Sequence, residues 1–164
     1  MPPPSGRPAE PGIYVGAWRI ISVLGLPLAG ARHLAICVVN QSGGTATVWE
    51  LIGPLEYARN HIEPAGRPHY ADWAGYTWVR VAELSAYTRL VSAIAQARAE
   101  FVGWVYTIAD SNRFVGRALA KAGIAVSPAQ RAQLGWAPAF DEGLQGRGIP
   151  GQGPMVYPNM SPGG

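Results

Sequence analysis

Residues 33–52 read HLAICVVNQSGGTATVWELI and contain the pattern that decides the fold. The runs 33–39 and 45–52 are rich in apolar and β-branched residues, and they flank the segment NQSGG at 40–44. Asn, Ser and Gly favour turns because they adopt or stabilise the backbone angles of a tight reversal. Two strand-like runs on either side of such a segment predict a β-hairpin of antiparallel strands.

Further strands and helices are predicted on both sides of this hairpin. Aromatic and β-branched residues in 13–24 and 73–81 predict two more strands. Apolar residues at helical spacing predict a helix over 85–101, and a second helix over 113–122 follows the capping residues at 110–112. The predicted fold class is α+β, with an antiparallel sheet that contains the hairpin and packs against two helices.

The distribution of Gly and Pro divides the chain into one domain and two ends. The length of 164 residues suits one domain, and the 21 Gly and 15 Pro are enriched near the termini. We interpret 1–12 as a Pro-rich, flexible N-terminus, 13–124 as the α+β domain and 125–164 as a Pro/Gly-rich C-terminal tail. Within the domain, residues 53–72 are polar and contain three prolines, which predicts a long loop.

The charge pattern argues against nucleic-acid binding. The formal net charge is +3, from 13 Lys and Arg against 10 Asp and Glu. The arginines are scattered singly and form no basic run of the kind that follows a phosphate backbone. Charged residues make up only 14% of the chain while 48% is apolar, which argues against a disordered protein or a coiled coil.

Cysteine count and hydropathy exclude several further classes. The single cysteine, Cys37, excludes an internal disulfide framework and a four-cysteine zinc site. The N-terminus lacks the basic start and apolar stretch of a signal peptide. The apolar stretch 20–39 is interrupted by Pro27, Arg32 and His33, so no transmembrane segment is predicted. We expect synthesis in the cytoplasm, and export by a route without a signal peptide stays open.

The spacing of the hairpin brings a histidine and a carboxylate together. With the turn centred between Gln41 and Ser42, His33 lies opposite Glu50 on the neighbouring strand. A carboxylate beside an imidazole orients the ring and stabilises its charged form, as a general base requires. Ser111 lies at a predicted helix N-terminus, where free backbone N–H groups favour developing negative charge. The three residues are the parts of an activated serine nucleophile.

Each of these residues also has a purely structural interpretation. Ser111, within Asp-Ser-Asn before a helix, is then an ordinary helix cap. His33 is then a half-buried polar residue at a strand start, and Glu50 a simple cross-strand partner. Cys37, among Ile and Val, is interpreted as a small buried hydrophobe rather than as a nucleophile.

The predicted loop and the strand that follows it hold other candidate residues. The loop contains residue types that bind metals, namely His61, Glu63, His69 and Asp72. Their spacing matches no metal-binding motif, so we interpret them as solvated residues and predict no metal and no other cofactor. His69 or Asp72 is instead expected to border a substrate cleft. Trp73, Tyr76 and Trp78 are expected to line an apolar groove for an acyl chain or a glycan.

The order of these residues resembles a known group of enzymes. The run ARHLAICVVNQSGGTATVWELIG at 31–53, followed by ADSNRFVGRALAKAGI at 109–124, resembles the circularly permuted papain-like fold. This group includes the NlpC-type and lecithin:retinol acyltransferase-like families. There, a His opens the first of two strands, a polar residue lies on the next, and the nucleophile begins a later helix in an Asn-Cys-x-x-Phe-like motif. The matching positions in this chain are His33, Glu50 and Ser111, with Asn112 and Phe114 completing the helix start.

One departure from the family pattern concerns the nucleophile. Ser111 stands where these families have Cys, and a hydroxyl is much harder to ionise than a thiol. In this respect the chain is similar to uncharacterised bacterial proteins that carry Ser in the motif, some encoded with secretion or toxin systems. The resemblance therefore implies either a serine-dependent variant or an inactive relative.

Two functions follow from this resemblance. The first is a small hydrolase or acyltransferase that acts on an amide or ester bond of a cell-wall peptide, a lipid or a protein. Ser111 attacks, His33 acts as base, Glu50 orients His33, and Asn112 contributes to substrate binding. The second is a catalytically inactive papain-like module, a binding or assembly protein of a bacterial secretion or phage-like system, whose tails order on a protein partner.

Overall fold

The computed structural model of the chain describes residues 4–20, 22–23, 26–27, 30–41, 44–53, 59–102 and 109–146. The strands are β1 (Gly12–Arg19), β2 (Ser22–Val23), β3 (Leu26–Pro27), β4 (Arg32–Val39), β5 (Ala46–Ile52), β6 (His61–Ala65) and β7 (Tyr76–Ala82). The helices are α1 (Tyr87–Phe101), α2 (Asp110–Lys121), α3 (Pro128–Leu134) and α4 (Phe140–Leu144). Short 3-10 turns at Trp73–Gly75 and Leu84–Ala86 precede β7 and α1.

The fold is α+β, as predicted. Five antiparallel strands form one sheet in the order β6-β5-β4-β1-β7, and β2 pairs with β3 separately. Strands β4 and β1 therefore occupy the interior of the sheet, and the hairpin strand β5 lies between β4 and the edge strand β6. None of the helices in the described ranges is long and apolar enough to cross a membrane.

Strands β4 and β5 form the predicted hairpin, but their register differs by two residues from the predicted one. Ile36 pairs with Trp49. In this register the residue that faces Glu50 is Ala35 rather than His33. Because side chains alternate between the two faces of a sheet, a shift of two residues leaves each side chain on its predicted face. His33 and Glu50 therefore still share one face.

Alternation along β1, β4 and β5 divides their side chains between two cores. On the first face, side chains of these strands pack with α1, α2 and the segment after α2. Members of this first core from the sheet are Ile13, Val15, Ala17, Leu34, Ile36, Val38, Trp49, Leu51, Ile62 and Val79. Among the described residues, the second core contains no side chain from α1–α4 and is packed with aromatic and small side chains. Its members are Tyr14, Ala35, Cys37, Val39, Ala46, Val48, Trp73 and Tyr76.

Helix α2 begins earlier than the sequence predicts. It spans Asp110–Lys121 with Ala109 in the N-cap position, and no side chain caps it. Residues 110–112, predicted as caps, therefore lie inside its first turn, and their side chains are buried. The end of the helix agrees with the prediction, because Gly123 adopts a left-handed φ of 70° directly after the last helical turn.

Two parts of the structure differ from the predicted loop and tail. Residues His61–Ala65 form the edge strand β6, although their Pro and Glu give no strand pattern in the sequence. Residues 125–146, predicted as part of the tail, contain α3 and α4, and Leu134 and Phe140 are buried in the first core. Helix α3 begins with a complete capping box at Ser127, a signal that the Gly and Pro content of the region obscures.

The ends of the chain are described only in part. Residues 1–3 and 147–164, which belong to the predicted flexible N-terminus and Pro/Gly tail, lie outside the described residues. Residues 4–11 lie against the second face of the sheet, where the Arg7 guanidinium is 5.9 Å from the centre of the Trp73 ring.

The crossing of α2 and α4 depends on two glycines. A Cβ atom at Gly116 would lie 2.4 Å from the Phe140 carbonyl oxygen, and one at Gly143 would lie 2.3 Å from the Arg113 carbonyl oxygen. Side chains at these positions would force the two helices apart, because backbone atoms cannot move aside as a flexible side chain does.

We predict that Gly116→Ala lowers the free energy of unfolding by about 1–3 kcal/mol, because overpacking outweighs the gain of about 1 kcal/mol that Ala has over Gly inside a helix. Gly66→Ala is the control, since nothing lies within 4 Å of a Cβ built there. Urea unfolding measures both variants. Equal stability of the two would show that α2 and α4 do not approach this closely.

Candidate functional site

The predicted pair of His33 and Glu50 meets on the second face of the sheet. His33 Nε2 lies 2.9 Å from Glu50 Oε1. The two residues are 2% and 4% exposed. They are diagonal neighbours across β4 and β5 rather than directly opposed, and long side chains can span this diagonal. The prediction that they meet is therefore confirmed, although the predicted register was wrong.

The Glu50 carboxylate accepts two further hydrogen bonds. Oε1 accepts from the Tyr76 hydroxyl at 2.5 Å, and Oε2 accepts from the backbone N–H of His69 at 2.7 Å. Burial raises the pKa of the Glu50 carboxyl, but the hydrogen bond and charge of His33 and the donors from Tyr76 and His69 outweigh it, so this pKa lies below its ordinary value of 4.5. Glu50 is thus ionised at neutral pH.

Burial and the neighbouring Glu50 charge also raise the pKa of Tyr76, so its phenol keeps the proton that it donates. The ring of Tyr70 is perpendicular to that of His33, with centres 4.6 Å apart, and it stacks on Trp18 at 5.0 Å. His33 and Glu50 therefore lie in surroundings of low polarity, where electrostatic interactions are strong.

Asn112 joins the first turn of α2 to the strand that carries His33. Its Nδ2 donates to the Arg32 carbonyl at 2.8 Å, and its Oδ1 accepts from the Leu34 N–H at 2.9 Å. Arg32 and Leu34 are the two chain neighbours of His33, and the paired part of β4 with β5 begins only at Ile36. The Asn112 amide thus takes the place of a strand partner beside His33, and both of its polar ends are engaged within the protein.

Ser111 is the second residue of α2 and is 1% exposed. Its Oγ lies 3.5 Å from Asn112 Oδ1. In the described part of the chain, no hydrogen bond joins Ser111 to His33. The apolar side of α2, including Phe114, packs in the first core, whereas His33 lies on the second face. The structure thus places Ser111 beside Asn112, which binds the backbone on both sides of His33, and no hydrogen bond between Ser111 and His33 is found in the described residues.

Buried charges fix the start of α2. Arg113, which is 1% exposed, donates to Asp110 and to Glu142 of α4, each at 2.9 Å. Asn60 Nδ2 donates to the second carboxylate oxygen of Asp110 at 3.2 Å. Because Asp110 is fully buried, its charge depends on these donors. They attach the helix start to α4 and to the segment before β6.

His69, predicted to border a cleft, lines a cavity of about 120 Å³ beside Glu50. The other lining residues are Val48, Ile52, Glu63, Ala65, Arg67 and Pro68. Trp73 and Trp78, predicted to line a groove, contact each other with ring centres 5.5 Å apart, and Trp78 Nε1 donates to the Trp73 carbonyl at 3.1 Å. Trp73 is only 7% exposed, so its ring packs in the second core.

Cys37 and the residues of the predicted loop complete the candidates. Burial raises the pKa of the Cys37 thiol to about 12, against the opposing charge of Arg7, and a neutral thiol is a poor nucleophile. His61 and Glu63 lie 3.6 Å apart on β6. Across the described ranges, no three His, Cys, Asp or Glu side chains come together in a way that could hold a metal ion.

The sequence pattern predicts neither the contact of Tyr70 with His33 nor the hydrogen bond from Tyr76 to Glu50. Tyr76 lies in a predicted strand, and its alternation with Trp78 indicates a shared face, but β7 pairs with β1 rather than with the hairpin. Such long-range pairing leaves no local signal. Tyr70 falls in the predicted loop, where no periodicity assigns it to a face.

Comparison with known proteins finds no match. No protein-family model matches the chain, and neither a curated protein nor a solved structure matches it. The function is therefore inferred from the geometry of the site itself.

We predict that Glu50→Gln lowers the free energy of unfolding at pH 7 by about 1–3 kcal/mol, because its donors lose a charged acceptor. The lowered pKa of Glu50 means that its contribution is complete above pH 4.5 and is lost as the pH falls further. The variant should therefore lose less stability than wild type on acidification below pH 4.5. Unfolding in urea across this range measures the difference, with Glu63→Gln, at an exposed carboxylate, as control. An unchanged acid profile in Glu50→Gln would contradict the assignment.

Proposed function

We propose that the protein is a small hydrolase or acyltransferase of permuted papain-like fold that acts on an amide or ester bond. The observation that carries this proposal is the Asn112 amide, which binds the backbone on both sides of His33. It attaches the helix start that contains Ser111 to the strand that carries an imidazole already paired with a carboxylate.

The pairing with Glu50 determines which nitrogen of His33 is available. An ionised carboxylate has no proton to donate, so Nε2 carries the hydrogen of the bond and Nδ1 holds the lone pair of the neutral ring. Nδ1 is therefore the base that removes the Ser111 proton, and Glu50 stabilises the imidazolium that forms. Tyr76 and His69 hold Glu50 in place through its remaining lone pairs.

Ser111 supplies the nucleophile in this scheme. Its Oγ attacks the carbonyl carbon while its proton moves to His33, and the backbone N–H groups of the first turn of α2 stabilise the oxyanion. Collapse of the tetrahedral intermediate expels the amine or alcohol, which takes the proton from His33. Water then resolves the acyl-enzyme in hydrolysis, and a second amine or alcohol does so in acyl transfer.

A second candidate function is an inactive module of the same fold that binds a partner. The observation that favours it is burial: Ser111, Asn112, His33 and Glu50 are all at most 4% exposed. The hydroxyl of Ser111 is directed to Asn112 at 3.5 Å, and the Asn112 amide is occupied by backbone groups. Such a site contributes to stability as a buried polar network even without turnover.

We predict that a fluorophosphonate probe labels the wild-type protein at Ser111, because the reagent reacts with serines that a base activates. Ser111→Ala and His33→Ala should each abolish labelling while both variants remain folded by circular dichroism. Ser127→Ala, at an exposed helix cap, is the control and should be labelled like wild type. Intact mass and peptide mapping provide the measurement. Labelling that persists in Ser111→Ala would refute this nucleophile.

Replacing Ser111 by Cys separates the two functions. In a Cys37→Ala background, Ser111→Cys carries the single thiol of the chain, and its rate of alkylation against pH gives the thiol pKa. If His33 is its base, this pKa lies below the ordinary value of about 8.5 and is higher in the added His33→Ala variant. A thiol with the same pKa in both backgrounds favours the inactive module.

A further inference from the structure

Residues 4–11 form an ordered strap on the second face of the sheet. The N–H of Arg7 donates to the Pro4 carbonyl at 3.1 Å, which closes a turn through Gly6. Gly6 has a φ of 83° and lies so close to the 3-10 turn before β7 that a Cβ atom would be 2.4 Å from Ala74 Cα. The strap is therefore seated in one position, which directs the Arg7 side chain towards Trp73.

The Arg7 guanidinium is incompletely paired. Its centre lies 5.9 Å from the Trp73 ring, yet Nε and Nη2 are buried and have no hydrogen-bond partner. These two nitrogens form the edge of a guanidinium that binds two oxygen atoms of one carboxylate side by side. Contact with a ring face partly stabilises the charge but gives no acceptor to these N–H groups.

Two other arginines with a buried, unpartnered Nε differ from Arg7 in their ion pairs. Arg113 and Arg131 also have a buried Nε without a partner, but each forms an ion pair through another nitrogen, with Asp110 and Asp141 respectively. In the described part of the chain, no ion pair involves Arg7. The ionisable Cys37 thiol is close enough to feel its charge, but burial raises the thiol pKa to about 12 and keeps it neutral.

We propose that Arg7 is the binding residue for a carboxylate ligand, which lies between the strap and the second face of the sheet. A carboxylate matches the free edge in shape, number of acceptors and charge. A phosphate needs donors for additional oxygens, and Arg80, which contacts the last residue of the strap, is already committed to Pro11 and Glu83. The site is distinct from the proposed nucleophile, so it stands or falls independently of the proposed enzymatic function.

Because Nε and Nη2 are buried, the strap must shift for the ligand to enter. A buried N–H group without an acceptor destabilises the folded protein, and a bound carboxylate removes this destabilisation by accepting the hydrogen bond. The ligand should therefore stabilise the folded protein, whereas removing the charge should remove both the cost and the binding.

The test uses sodium acetate as probe, with acetamide as its neutral analogue, and with sodium phosphate and sodium chloride at equal ionic strength. Arg7→Met removes the guanidinium, and Arg7→Lys keeps the positive charge but lacks the two adjacent N–H groups. Arg19→Met removes an exposed charge and serves as control. Thermal unfolding gives the effect on Tm. The Arg7 Nε–H resonance, assigned by its loss in Arg7→Met, reports on contact at this residue.

We expect acetate, but not acetamide or chloride, to raise Tm by a few degrees in wild type and Arg19→Met, and to shift the Arg7 Nε–H resonance saturably. Both Arg7 variants should lose the Tm response, and Arg7→Met in chloride should be at least as stable as wild type. The proposal is overturned if acetate leaves this resonance unmoved, if phosphate alone moves it, or if Arg7→Met responds to acetate like wild type.

Discussion

The ionised carboxylate of Glu50, buried in the second face of the sheet, is the constraint on which the site depends. A buried charge is unfavourable by several kcal/mol unless it is paired and hydrogen-bonded. Its donors come from three separate stretches of chain: His33 on β4, His69 before the 3-10 turn, and Tyr76 on β7. The carboxylate is satisfied only when the hairpin, the opposite edge strand and this connecting segment have all assembled.

The helix layer reaches this cluster through hydrogen bonds to backbone. Apolar contacts hold α2 on the first face, but these contacts are non-directional and tolerate sliding. The amide of Asn112 is directional, and it binds the strand at the two residues around His33. The charged network of Asp110, Arg113 and Glu142 fixes the same helix turn from its other side. Specific polar contacts thus determine the position of α2 along the sheet, while apolar contacts in the first core hold it against the sheet.

The sequence predicts those features of the fold that local pattern encodes. The hairpin, β7, α1 and the end of α2 follow from periodicity and turn residues, and the pairing of His33 with Glu50 follows from spacing within one hairpin. The edge strand β6 is missed because its Pro and Glu residues lack alternation, and its pairing depends on β5 being in place. Tyr76 is missed as a donor because β7 crosses the sheet to pair with β1. Packing in three dimensions determines which distant segments contact each other, and no short stretch of sequence indicates these contacts.

The error in the predicted hairpin register has a consequence for variation in this protein. His33 and Glu50 meet in the observed register, two residues from the predicted one, because the faces of a strand repeat with a period of two. The pair requires only that β4 and β5 pair in a register of the right parity, whatever the length of the connection between them. A slip of the two strands by two residues keeps imidazole and carboxylate on one side of the sheet. A slip by one residue would place them on opposite faces and bury a lone charge in the opposite layer.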